Sequence, residues 1–224
     1  MTFDRLTRAQ KRAIRTRNSM LRAAQTLFAE RGFVNVTIAH ITDMADVALG
    51  SFYNHFDNRE HIIEAVLADL SLSQERFHAS ITRRFEPGPE ATIVSRYVST
   101  AQRCQLDPLW ADLAEQATLI KRWPMPAMVD EVHHALSQLP DADSMAPDAE
   151  LNPEYTARLI VAVVRMLFDR ERTNDLETET RVGLSSLLRA LEFTDKANRY
   201  WVEAATAVPL DLESLADSRS QAYP

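Results

Sequence analysis

Apolar residues recur three and four positions apart along most of the chain, the spacing of helices that bury one face. From Ala9 to Arg31, Met20, Ala24, Leu27 and Phe28 fall on one face and Gly32 is placed to end the helix. Phe33, Val36, Ile38 and Ile41 also read, for a few residues, as a strand. Thr37 is a good N-cap, however, and Ile38, Ile41 and Ala45 keep the helical spacing, so a short helix is predicted over 37–45. Asp46-Val47-Ala48 then leaves a three-residue turn before a second short helix over 49–56. Asp57-Asn58 supplies a cap for a long helix over 59–85, with Ile62, Val66, Leu70, Phe77 and Ile81 inward. Further helices are expected near 91–105, 109–121, 125–139, 154–170, 176–193 and 195–207. The stretch 140–153, rich in Asp, Ala and Pro, reads as a loop, and the tail after Leu215 as frayed.

Composition agrees with this pattern. Only 4 of 224 residues are Gly, and no alternation of apolar and polar residues runs far, which excludes a turn-rich β fold. No Pro precedes Pro87, so the first third can hold long helices, whereas eight of the ten fall between Pro87 and Pro153 and cut the middle into shorter ones. The fold class is all-α. Two short helices joined by a tight turn make a helix-turn-helix, whose second helix enters the DNA major groove. The expected organisation is a three-helix module over 1–58, joined by the long helix to a helical body over 59–224.

The net charge of −7 argues at first against a nucleic-acid partner, but it is unevenly spread. Residues 1–60 hold nine Lys/Arg and six Asp/Glu, and residues 61–224 hold sixteen and twenty-six. That asymmetry is the pattern of a basic binding module on an acidic body. The start, MTFDRLTRAQKRAIR, is basic where a signal peptide needs an apolar stretch, and Cys104 is the single cysteine, so a cytoplasmic protein is expected. The longest aliphatic run, Leu159 to Val164, is too short for the roughly 20 residues of a membrane span. His133-His134 diverge by about 100° on a helix and cannot chelate one ion, so no metal or other cofactor is expected. No phosphate loop, nucleophile elbow or spaced His/carboxylate set marks an enzyme.

Residues 37–60 resemble the amino-terminal module of the tetracycline-repressor (TetR) family of bacterial transcription regulators. GSFYNHF followed by DNRE is similar to the family's Gly, small residue, Phe or Leu, Tyr, any, His or Tyr, Phe, then two residues, Lys and Glu; AERGF before a threonine-led helix also fits. Specific matching covers roughly residues 14–67, and the remainder agrees in helix layout. The resemblance implies that Tyr53 and His55 hydrogen-bond backbone phosphates, and that Arg59 and Thr37 hold further phosphates at helix starts. It places base reading on Leu49, Gly50, Ser51 and Asn54, with Tyr53 sometimes reaching the bases. Asn can pair bidentately with adenine, and apolar groups meet a thymine methyl. Phe52 and Phe56 are expected to seat this helix on Leu27, Ile41 and Ile62. A basic arm of Arg5, Arg8, Lys11, Arg12, Arg15 and Arg17 adds salt-sensitive contacts. The sequence departs from the family at Asp46, where the turn usually has Gly, at Ala48, where a Ser or Thr cap is usual, and at Leu49, commonly polar or basic.

One recognition helix is half of what operators usually demand, so a homodimer is expected. Helix 154–170 is apolar on more than one face, with Leu159, Ala162, Val163 and Met166 available to pack inside. Ile160, Val164, Leu167 and Phe168 remain for a neighbour, and with Leu184, Leu188 and Leu191 they resemble the helix pair through which family members dimerise. The resemblance also implies a small-molecule pocket in the body. Tyr97, Cys104, Trp110, Trp123, Met125, Met128 and Phe168 form an aromatic and thioether-rich set around it, and Arg165 could pair with an anionic ligand. The expected function is a ligand-responsive repressor of a palindromic operator. The alternative is a DNA-associated structural or interaction factor with this fold and no effector.

Overall fold

A computed structural model of the protein describes residues 7–122, 126–138, 145–146, 156, 159, 162–163, 166–168 and 175–220. Among them no strand forms; Met145 and Phe193 make a single antiparallel bridge.

The first helix, α1 (Arg8–Arg31), begins with a capping box in which the Thr7 hydroxyl accepts from the Gln10 amide and the Thr7 amide donates to Gln10 Oε1. Such caps satisfy donors that a helix start leaves orphaned, each stabilising by about 1 kcal/mol. It ends at Gly32, whose φ of 75° lies where a side chain is strained, and a Cβ there would meet Gln116 Oε1 at 2.9 Å. A 3-10 turn, Phe33–Asn35, follows, with the Phe33 ring stacked on Phe28 at 4.6 Å. Next come α2 (Ile38–Met44), capped by Thr37, and α3 (Leu49–Phe52). Helix α4 (Arg59–Thr82) starts where Asn58 Oδ1 accepts from the His61 amide at 2.9 Å.

Beyond it lie α5 (Pro89–Leu106), α6 (Pro108–Leu119) and α7 (Pro126–Leu136). The next helix, α8, runs as Leu176–Thr178, a π-helical stretch Glu179–Leu184, and Ser185–Ala190. Two more follow, α9 (Asp195–Thr206) and α10 (Leu212–Ser220). The tail expected to fray is therefore helical to Ser220. Asp211 Oδ1 accepts from the Ser214 amide, Asp211 pairs with Arg84 at 3.1 Å, and Leu215 is buried, which together hold the last helix down. The described positions between 156 and 168 are helical. Apart from Met145 and Ala146, the expected loop over 140–153 lies outside the described residues.

The chain divides into two compact units, residues 1–73 with 109–124 and 217–224, and residues 74–108 with 125–216. In the first, the head, the interior is apolar: Met20, Leu27, Phe28, Ile41, Phe52, Phe56 and Ile62 are all essentially inaccessible. Helix α6 belongs to this unit, with the Trp110 indole donating to the Leu70 carbonyl and Arg122 paired with Glu60 at 2.8 Å. In the second, the body, many polar side chains are buried among apolar ones such as Phe77, Val94, Phe168 and Leu188. Ser95, Arg96, Ser99, Thr100, Gln102 and Arg103 are all buried on α5.

Candidate nucleic-acid interface

Local chemistry builds the reading surface. The Thr37 hydroxyl accepts from the His40 amide and fixes where α2 begins. After Ala45 the chain turns at Asp46, with φ 52°, and the Val47 amide returns to the Thr42 carbonyl. Asp thus adopts the left-handed conformation this turn requires, which Asn and Asp tolerate better than most residues. Ala48 is extended and caps α3 without a side-chain hydrogen bond.

Regular helix ends at Phe52, sooner than the predicted 49–56. The last turn tightens, as the Asn54 and His55 amides bond to Ser51 and Phe52, three residues back. Phe52 and Phe56, four apart, are both buried with rings 5.4 Å apart, and they anchor the segment from beneath.

With that face buried, the opposite face is presented outward. Leu49 and Tyr53 are more than half exposed, and Gly50, Asn54 and Thr37 are exposed as well. Ser51 and His55 are half-buried. Tyr53 stands edge-on to the Phe52 ring at 5.5 Å. A Cβ on Gly50 would meet nothing within 4 Å, so the fold itself makes no demand for glycine there. His55 is held below its ordinary pKa, first by burial and then by the positive charge of Arg17.

Arg17 lies 5.0 Å over the Phe56 ring, which draws the basic end of α1 to the recognition segment. Its place was legible only as one member of a basic run. Arg12 and Arg15 are exposed on α1, and Arg5 lies outside the described residues. Arg59 is placed differently from the other predicted phosphate ligands. Its Nε donates to the Val36 carbonyl at 2.7 Å, Nη2 bonds the Phe33 carbonyl, and Nη1 faces Glu60 at 3.6 Å. The guanidinium ties the α1–α2 connection to the start of α4.

The body residues singled out in the sequence are only partly brought together. Tyr97, Met128 and Phe168 are buried within the second unit, and Cys104 is half-buried there. Trp110 is not among them, because its indole is committed to Leu70 in the head. Trp123, Met125 and Arg165 lie outside the described residues, as do Ile160 and Val164. Leu184, Leu188 and Leu191 are fully buried within the single chain and have no surface to offer a second copy, which corrects their placement at an interface. The expected sides of 154–170 are also exchanged at two positions. Phe168 is buried and Met166 is 52% exposed, while Leu167 is half-buried.

A surface cleft of about 800 Å3 in the body was missed entirely. Glu75, His78, Thr82, Thr92, Arg96 and Glu131 line it, and none of the predicted ligand residues does. Arg96 makes two 2.8 Å bonds to Glu75 and pairs with Glu131. His78 contacts Ser99 Oγ at 3.1 Å and Thr82 Oγ1 at 3.0 Å. Burial, with Arg96 close by, pulls its pKa down to about 3, although its contact with Ser95 acts the other way. No sequence signal flagged this set, since its members are scattered over three helices.

Residues 20–66 match the family described as bacterial regulatory proteins, tetR family. The chain is 42% identical over 54 residues to the HTH-type transcriptional repressor KstR2 of Mycolicibacterium smegmatis, covering 24% of this chain and 26% of that protein. The match thus spans about a quarter of that relative's length. Over nearly its whole length the fold is that of a gamma-butyrolactone receptor (ArpA-like protein), with TM-score 0.62, 22% identity, and 95% of this chain and 100% of that one covered. It is also that of RolR in complex with resorcinol, with TM-score 0.56, 22% identity and coverage of 91% and 98%.

Proposed function

We propose that this chain, whose residues 20–66 match the family of bacterial regulatory proteins, tetR family, is a homodimeric cytoplasmic repressor that binds a palindromic operator and is released by a small-molecule effector. One observation carries the reading. The segment from Leu49 to Phe56 buries its phenylalanines and leaves Leu49, Gly50, Tyr53 and Asn54 outward on an apolar-cored unit. Tyr53, His55, Thr37 and the basic residues of α1 contact phosphates, and Leu49, Gly50, Ser51 and Asn54 meet base edges. Arg59 supports the surface from behind.

Helix α4 supplies the coupling. Its residues to Ser73 pack in the head and those from Gln74 in the body. An effector that binds the DNA-incompetent arrangement more tightly would bias this shared helix and shift the population. Dimerisation uses the outward apolar positions of the body, such as Ala162, Met166 and Val182.

Selection of bound fragments from random DNA tests the proposal, followed by a metabolite screen for release from the best fragment. The expected result is an inverted repeat with half-sites about one or more helical turns apart, released by at least one small molecule. Scattered sites without dyad symmetry, and no release, would favour the effector-free structural factor.

A further inference from the structure

The reading surface carries no basic side chain of its own. No Lys or Arg occurs between Arg31 and Arg59, a span that holds α2, the turn and α3. Arg59 spends its Nε and Nη2 on the carbonyls of Val36 and Phe33. His55 adds no charge at neutral pH, because burial and then Arg17 hold its pKa below the ordinary value. Fixed charge within the span is negative: Asp43 on α2, Asp46 in the turn and Asp57 beyond Phe56 are all exposed. Exposed cations stand instead on α1, at Arg8, Arg12 and Arg15.

That division decides which base pairs α3 can read. Guanine offers two major-groove acceptors, O6 and N7, and the side chains that meet them are Arg and Lys. Residues 49–56 include neither. Asn54 is exposed and carries the amide that pairs with adenine N6 and N7. A carboxylate can accept from cytosine N4, but Asp43, Asp46 and Asp57 flank residues 49–56 and do not belong to them. The remaining mark in the groove is apolar, the methyl group of thymine.

Leu49, the first residue of α3, offers a surface for that methyl. It is 52% exposed, its neighbours Ala48 and Gly50 are exposed as well, and a Cβ on Gly50 would meet nothing within 4 Å. Phe52 and Phe56 supply the buried side of the segment without it. Met44 is exposed too, but it ends α2, the helix before the turn.

We propose that Leu49 is a specificity-determining residue that reads the 5-methyl group of thymine, and that the bases under α3 in each half-site are A·T pairs. This rests on the reading of the chain as an operator-binding repressor and gives that operator a composition. Cations on α1 hold the phosphates of any sequence alike, so discrimination falls to one apolar contact and one amide. Closing leucine on the methyl takes both out of water, whereas cytosine has no methyl to cover.

The test starts from DNA selected by the full-length wild type out of a random pool. Each thymine of one half-site is replaced in turn by deoxyuridine, which removes the methyl and keeps the base pair. At one or more positions the wild type is expected to lose about fourfold in affinity, the equivalent of one buried methyl-sized group. Leu49→Ala and Leu49→Ser are expected to melt as the wild type does and to bind the thymine and deoxyuridine operators equally. No sensitive thymine, a selected half-site without thymine, a folded variant that keeps the wild-type loss, or unfolding of both variants would overturn the proposal. If the wild type selects no sequence at all, the repressor reading fails and this inference falls with it; a selected operator indifferent to deoxyuridine sinks the inference alone.

Discussion

The head and the body spend their buried volume differently. In the head, buried side chains are almost all apolar, with Asn18, Thr42 and Ser73 the polar exceptions among the described residues, and the groups able to make specific contacts stand outside. In the body, α5 alone buries two arginines, a glutamine and several hydroxyls. An apolar core holds a surface in one shape, which suits a partner recognised from outside. A buried polar group costs roughly 1–3 kcal/mol wherever it is left orphaned, so the body's stability depends on keeping pairs such as Arg96–Glu75 and Arg103–Asp107 intact.

Phe52→Ala should break the head's side of this contrast most severely. Removing a fully buried phenylalanine costs roughly 3–5 kcal/mol, a large part of a domain's stability. Urea unfolding should show that loss, and DNA binding should go with it. A cost under about 1 kcal/mol would mean that the recognition segment is not seated on an apolar core.

In the body, His78 tests one of these buried polar groups. Its folded pKa of about 3 lies below that of the unfolded chain, so between pH 6.5 and 3 the unfolded state binds more protons. Stability from this group is therefore full above pH 6.5 and falls on acidification, by up to about 1.4 kcal/mol per unit. His78→Gln should flatten that part of the stability-pH profile; identical slopes in variant and wild type would contradict it.

Gly50→Ala has the smallest effect on folding and separates shape from reading. With nothing within 4 Å of the added methyl, the change should stabilise by up to about 1 kcal/mol, because Gly disfavours helix. It should also weaken operator binding, where close approach of the backbone is needed. Calorimetry and a binding titration on the same sample check both signs.

Much of the head was readable in the sequence, because each local signal there has a short-range cause. Thr37 and Asn58 cap where expected, Asp46 takes the positive φ of the turn, and Phe52 and Phe56 point inward as their spacing requires. Arg59 was harder to read, since its carbonyl partners at Phe33 and Val36 lie more than twenty residues away. The body was legible as helices but not as a site. Aromatic and thioether residues mark burial, and burial alone does not say which helix pair they fill, so Trp110 belongs to the head and Leu184, Leu188 and Leu191 to the chain's own core. The final helix was missed because its support is the Asp211–Arg84 pair, a contact spanning more than a hundred residues.

Asn54→Ala offers the most direct test that the exposed face of α3 and its following turn reads DNA. Dissociation constants for the selected operator and for random DNA are measured at one salt concentration. The expected result is a loss of about 1–3 kcal/mol on the operator with little change on random DNA, since a base contact carries specificity and a phosphate contact does not. An equal loss on both, or no loss on either with the fold intact, would contradict the assignment.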